Sequence, residues 1–311
     1  MNSHERHAEF ISELQLGKSE MKRVKSLFEQ LEREEERLGK PVEAMSSEEL
    51  SKAVSLLDIT RKSSTTSVKA SLKRYAAWCE QNGIEFLPVV SEISFDMSEQ
   101  IRKRFVSSPA DLKRRMDLCF DKEQDKSTHC PYRAFLWLVF MGIDADDAVT
   151  IRTQDVDLSV PCVFLHGIPY EIYPEAFPAM YVCVTATSLL VDYHDRGRTT
   201  WKQRAGGDQL LRGVSGNMSK GYIATRINQA CLSKDFSLQQ NNIYRSGVFY
   251  RFWLQEKETG VLDMTQYIQD KVSSYAGFSQ RTEREQNKMF HSLKSMTLRD
   301  YENWKSALDI S

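Results

Sequence analysis

The chain has 311 residues, of which 27% are charged and 41% hydrophobic, with a formal net charge of −1. That length exceeds one average domain and supports a packed core, so a wholly disordered chain is excluded. Near-neutrality means that net charge says nothing about a polyanionic partner, and only the distribution of charge can. The six cysteines, Cys79, Cys119, Cys130, Cys162, Cys183 and Cys231, contain no CxxC pair. Neither a metal nor a cofactor is therefore expected, and the thiols read as small buried groups in a reducing cytosol. The polar start over 1–10 carries no signal peptide, and the longest apolar run, 134–143, is too short for a bilayer. A soluble cytoplasmic protein with no membrane partner is the expectation.

Residues 1–60 are expected to form a helical N-terminal extension. Leu14, Met21, Val24, Phe28 and Leu31 recur at helical spacing, Gly39-Lys40-Pro41 stops that helix, and Ser46-Ser47-Glu48-Glu49 opens the next. This arm holds 9 Lys and Arg against 13 Asp and Glu, which suits a partner protein or peptide, or a second copy, better than DNA. A second domain is expected over 61–127. There Ser64-Thr65-Thr66 caps a helix with the apolar stripe Val68, Leu72, Tyr75, Ala76 and Cys79, ended by Gly83. Its opposite face carries Lys69, Lys73 and Arg74. Helices over 97–106 and 109–120 add the runs Arg102-Lys103-Arg104 and Lys113-Arg114-Arg115. Such runs are commonly solvated faces, but three in one small bundle point to a polyanion-facing surface.

A third domain is expected over 128–311, entered by a buried helix over 132–143. The spacing predicts a strand over 161–165, a turn at His166-Gly167 and a returning strand over 170–173. Helices return over 219–232, 241–257, 263–275 and 297–308. The fold class is therefore mainly α with a small β-hairpin (α+β). Between Arg196 and Arg251 ten basic residues face only Asp208 and Asp235, a local excess of +8. Arg196-Gly197-Arg198, Trp201, Lys202 and Arg204 place guanidinium groups and a flat aromatic on one flexible stretch suited to phosphate contact and stacking.

Several segments resemble the tyrosine recombinases, or phage integrases, over roughly 64–305. The stretch 75–83, YAAWCEQNG, is similar to the first helix of their SAM-like helical core-binding domain. The stretch 134–143, AFLWLVFMGI, is similar to the helix opening their catalytic domain, and it runs into an aspartate-hydrophobic-aspartate turn at Asp155-Val156-Asp157. The resemblance implies a tyrosine nucleophile, two arginines that stabilise the pentavalent phosphate, and a lysine and histidines that move protons. Most of these positions are altered here. Asp144 stands where the first arginine belongs, and no lysine lies between Val160 and Tyr173. The histidine-x-x-arginine box reads Asn242-Ile243-Tyr244-Arg245, and asparagine carries no proton. His291 and Tyr301 lie near the positions of the last histidine and the nucleophile, although Tyr301 and Trp304 are equally read as packing anchors of an amphipathic helix.

The resemblance is closest to a branch of integrase-like proteins without recombinase activity that serve temperate phages and prophages as master repressors of lytic genes. It rests on the stretches 245–251 and 207–213 and on the acidic helical extension. The expectation is thus a non-enzymatic, sequence-specific regulator of transcription in a bacterial host, associated with the nucleoid and bound to double-stranded DNA. One domain would present Lys69, Lys73 and Arg74, the other Arg198, Lys202, Arg204, Arg245 and Arg251. A working recombinase with Tyr301 as nucleophile is the rival reading. An interaction module in which the N-terminal helices bind themselves or a regulatory protein is the third.

Overall fold

Three helices of the N-terminal region contribute rings to one aromatic cluster. The computed structural model describes residues 3–55, 57, 62–95, 97–120, 126–193 and 198–310. The chain divides into two units, Met1–Ile101 and Arg102–Ser311. The first holds α1 (Ser3–Glu13), α2 (Lys18–Leu38), α3 (Ser47–Ser55) and α4 (Lys62–Gln81). Val24, Phe28 and Leu31 of α2 and Leu72, Tyr75 and Cys79 of α4 are buried as their periodicity predicts, whereas Leu14 lies in the break between α1 and α2. The αL residue Gly39 ends α2, and Ser46 and Glu49 exchange backbone bonds of 3.2 and 2.8 Å as a capping box for α3.

His7 and Phe10 of α1, Phe28 of α2, and Tyr75 and Trp78 of α4 pack together, with ring centroids such as Phe10–Tyr75 at 5.0 Å. Within this core Arg6 meets Glu43 at 2.9 Å, and the Tyr75 hydroxyl also donates to Glu43. Burial pushes the Glu43 carboxyl up, but the bonds from Tyr75 and Arg6 outweigh it and hold the group below its ordinary value. Because α4 shares this core with α1 and α2, the expected borders at 60/61 and 127/128 give way to one border at 101/102.

The second unit holds the tail of α5 (Met97–Arg104), then α6 (Pro109–Phe120), α7 (Lys126–Phe140) and the one-turn α8 (Ala145–Ala148). A three-stranded antiparallel sheet follows in the order β1 (Val156–Asp157), β2 (Cys162–Leu165), β3 (Ile168–Glu171). His166 (φ 52°) and Gly167 (φ 80°) make its hairpin turn, as the sequence predicts. Next come α9 (Phe177–Thr185) and a second antiparallel pair, β4 (Ser188–Tyr193) with β5 (Arg198–Gln203). α10 (Lys220–Cys231), α11 (Gln240–Thr259), α12 (Thr265–Ser273) and α13 (Glu283–Ala307) complete the unit. The fold is mainly helical with small antiparallel sheets, in agreement with the expected α+β class.

The stretch read as a flexible basic loop is in part a hairpin. Its charges hide the β-branched and aromatic run Thr199-Thr200-Trp201, which pairs with Asp192, Val191 and Leu190. The pair is held to α7, where the Ser127 hydroxyl accepts from Leu190 N–H at 2.8 Å and Thr128 donates to the Leu190 carbonyl. No helix among the described residues is long and apolar enough to cross a membrane, and no three or more of their His, Cys, Asp and Glu side chains gather as a metal site.

Ala134 to Met141 are all buried, so the second half of α7 is the centre of the unit, apolar on every side. α11 crosses it at Gly247, where a Cβ would fall well inside contact distance of the Phe140 carbonyl oxygen. That carbonyl, among the last of α7, accepts a 3.0 Å bond from Arg251 Nη1 one turn further along α11. Gly142 (φ 98°) lets the chain leave α7 against the same guanidinium. Gly247→Ala is expected to force the two helices apart and destabilise the second unit by about 3 kcal/mol. Urea unfolding followed by tryptophan fluorescence measures this, and an unchanged midpoint would refute the close crossing.

Candidate nucleic-acid interface

Of the positions that match recombinase catalytic residues, Arg245 and Tyr301 share one neighbourhood, whereas Asp144 and His291 lie exposed outside it. Asp144 is exposed and caps α8, accepting from Asp146 N–H at 3.1 Å. Asn242 is buried in the first turn of α11. Arg245 Nη2 sits 2.8 Å from Asp300 Oδ2, with its guanidinium over the rings of Phe105 (4.9 Å) and Phe249 (5.5 Å). Tyr301 is 1% exposed, packed on Phe249, Phe252 and Trp304, and its hydroxyl donates to Glu256 Oε2 at 2.6 Å. Burial, and then the Glu256 carboxylate, push its phenol well above the ordinary value. His291 is exposed on the same helix, ten residues earlier, which is about 15 Å along the axis. The structure therefore brings Arg245 beside Asp300 and Tyr301 in one aromatic cluster and leaves Asp144 and His291 out of it.

The residues expected to face DNA also separate. On α4, Lys73 is exposed, Lys69 Nζ reaches the Ser91 carbonyl at 3.3 Å, and Arg74 meets Glu20 at 2.9 Å. Lys202 is exposed on β5, and the side chain of Arg198 lies outside the described residues. Arg204 is a correction, because it is 5% exposed and faces inward. Its guanidinium donates to the carbonyls of Cys183 (2.6 Å), Leu210 (2.7 Å), Arg212 (3.1 Å) and Ala186 (3.4 Å). A group that closes four backbone acceptors in the interior cannot meet a phosphate. Arg251 likewise holds the end of α7, and Arg245 an ion pair. The helical runs behave the same way: Arg115 is buried against the carbonyls of Arg102 and Lys103, while Arg114 and Lys113 pair with Asp111 and Asp117.

Among the residues left exposed in the second unit, one group borders the first turns of α7. Trp201, 65% exposed, stands next to Lys202 on the hairpin held by Ser127 and Thr128. One turn on, the Tyr132 hydroxyl lies 3.5 Å from that of Tyr222 on α10. The bond from Tyr132, and then Arg226, hold the Tyr222 phenol below its ordinary value. α10 contains no acid from Lys220 to Cys231, and its exposed face carries Tyr222, Thr225, Arg226, Asn228 and Gln229. Arg226 stacks 5.7 Å over Tyr222 and reaches Gln229 Oε1 at 3.4 Å. The sequence reading passed over this face. Its signal was the acid-free helix with hydrogen-bonding groups at i, i+3 and i+4.

No protein-family model and no curated protein matches the chain. Two solved structures of the Tn1549 transposon integrase in complex with circular-intermediate DNA are similar to it. One matches at TM-score 0.32 and 12% identity over 86% of this chain and 94% of that one. The other matches at TM-score 0.30 and 13% identity over 83% and 88%. A likeness of this size assigns no family.

Arg204→Met is expected to destabilise the protein by roughly 2–4 kcal/mol, since buried carbonyls lose their donors, whereas Lys202→Ala leaves stability within about 0.5 kcal/mol. Paired urea titrations check both, and equal stability of the two variants would refute the inward role of Arg204.

Proposed function

We propose that this chain is a sequence-specific DNA-binding regulator on a tyrosine-recombinase-like plan, without strand-cutting activity, of the kind that represses phage lytic genes. The observation that carries this reading is the acid-free, exposed face of α10, together with Trp201 and Lys202 exposed on a strand pair that is held to the same helix α7. Its groups are those that read base edges: the guanidinium fork of Arg226 matches guanine O6 and N7, and the amides of Asn228 and Gln229 match adenine N6 and N7. Lys73, Lys202 and Lys234, all exposed, supply sequence-independent phosphate contact. Loss of cutting is supported by the separation of His291 from Tyr301 and by the carboxylate at the Tyr301 hydroxyl, which opposes both ionisation and approach of a phosphate. The N-terminal helices are the proposed surface for self-association or a regulatory peptide. They share a core with α4, so surface substitution rather than deletion is the means to examine them.

Selection of binding sites from random duplexes, followed by affinity measurement across salt concentrations, tests the regulator. Affinity should fall linearly on a log–log plot against salt. Lys202→Ala should weaken all sequences alike and reduce the slope by about 1, whereas Arg226→Ala should cost about 1–3 kcal/mol and relax preference at one base pair. Binding insensitive to salt, or no selected site, would sink the proposal.

Loss of cutting has its own measurement. Incubation with a nicked suicide duplex should trap no covalent adduct, with Tyr301→Phe indistinguishable from the unaltered chain. An adduct present in the unaltered chain and absent from Tyr301→Phe would establish a working recombinase instead.

A further inference from the structure

Two thiols at the edge of the second unit's core play no part in the DNA-binding reading. Cys119 lies in the last turn of α6 and Cys231 ends α10, 112 positions apart in sequence, and their sulfurs are 3.4 Å apart across the packed helices. Both are free cysteines, Cys119 half-buried and Cys231 buried. The other four thiols differ. Cys79, Cys130 and Cys183 are buried, and burial pushes the first two up to about 11 and Cys183 higher, so they stay protonated. Cys162 lies on β2 among the small-sheet residues.

The surroundings of the pair favour one thiolate. The S–H···S contact with Cys119, the Leu238 N–H and the positive charge of Lys234 together outweigh burial and hold Cys231 below the ordinary thiol value. Cys119 is held correspondingly high by that same hydrogen bond and by burial, although Lys234 and Arg133 oppose this. Two thiols already in contact, one of them half-buried, form the arrangement from which a disulfide closes with little movement.

We infer that Cys119 and Cys231 form an oxidant-sensitive pair that a hydroperoxide converts to an intramolecular disulfide fastening α10 to α6. In the first step the Cys231 thiolate attacks a peroxide oxygen. An S–O bond forms, the O–O bond breaks, and the other oxygen leaves as water or an alcohol after taking a proton, giving a sulfenic acid. In the second step the Cys119 sulfur attacks the sulfenyl sulfur. The S–S bond forms, the S–O bond breaks, and the hydroxyl leaves as water with the Cys119 proton. The two thiols together lose the two electrons that the peroxide gains. The sulfurs must close from 3.4 Å to the bonded distance of about 2.05 Å, a shift within reach of side-chain rotation and a small helix adjustment. The tie would sit at the far end of α10 from Tyr222, about 13 Å along the axis, so it restrains the helix without covering its exposed face. The inference stands on the thiol pair alone and does not depend on DNA binding.

The test oxidises the reduced full-length chain with limiting hydrogen peroxide, blocks free thiols with N-ethylmaleimide under denaturing conditions, and maps non-reduced peptides by mass spectrometry. The expected product joins the peptide containing Cys119 to that containing Cys231, with Cys79, Cys130 and Cys183 carrying maleimide. The link should vanish on dithiothreitol treatment and be absent from Cys119→Ser. In Cys231→Ser, Cys119 should also lose its sensitivity to peroxide. A link between any other pair, or recovery of both cysteines as maleimide adducts or as unlinked sulfinic acids, would overturn the inference. The unaltered chain alone decides this even where a serine variant folds poorly.

Discussion

The Phe140 carbonyl is the point on which the second unit depends. It closes the C-terminal end of α7, whose second half is buried on every side, and it takes its hydrogen bond from Arg251 on the crossing helix α11. Three demands meet there. The backbones must approach closely, which requires Gly247. The chain must leave α7 at positive φ against a guanidinium, which requires Gly142. The carbonyl must be paired away from water, which requires Arg251. Once α11 is fixed, Ser246 is placed to accept from Val106 N–H at 3.0 Å and Arg245 to meet Asp300. The aromatic cluster of Phe249, Tyr301 and Trp304 then holds the last helix.

Much of this was legible in the sequence, and the failures have physical causes. The apolar run 134–143 gave α7 because an all-apolar helix has nowhere to go but the interior. His166-Gly167 gave the first hairpin because both residues tolerate positive φ. The second hairpin was obscured because Arg198, Lys202 and Arg204 made a strand look like a solvated loop. The first half of α13 was missed because it buries no residue, although Thr282 and Glu285 form a capping box that marks its start. Linear charge sets the acidic arm apart from α4, whereas Phe10, Phe28 and Tyr75 join them in one core.

The candidate site was less legible, because sequence reports the sign of a charge but not what it faces. Ten basic residues between Arg196 and Arg251 suggested one outward surface. Arg204 and Arg251 instead close backbone carbonyls, and Arg245 closes an ion pair. Arginine suits this inward work because its planar fork satisfies several acceptors at once. Lysine, a hydrated point charge on a flexible stem, is the more reliable outward marker, and Lys73, Lys202 and Lys234 are exposed. Arg226 escapes the inward pattern because α10 offers it only neutral neighbours on its exposed face.

The same magnitudes bear on whether the Arg245 cluster can serve as a phosphate site. Asp300 is 6% exposed and Arg245 21%, so the pair is largely removed from water. Breaking such a pair by taking away one partner costs about 3–5 kcal/mol, whereas a charge-assisted hydrogen bond returns about 1.5–3 kcal/mol. A phosphate approaching Arg245 would have to displace Asp300, leave that carboxylate unpaired and enter a site bordered by Phe105 and Phe249. The balance is unfavourable by a few kcal/mol before any chemistry begins. At the exposed Arg226, Lys202 and Lys234, no comparable burial stands in the way and counterion release adds to the gain. The energetics therefore favour an anion at the outer face of α10 and the β4–β5 strands over one at Arg245, because only there is no buried ion pair broken.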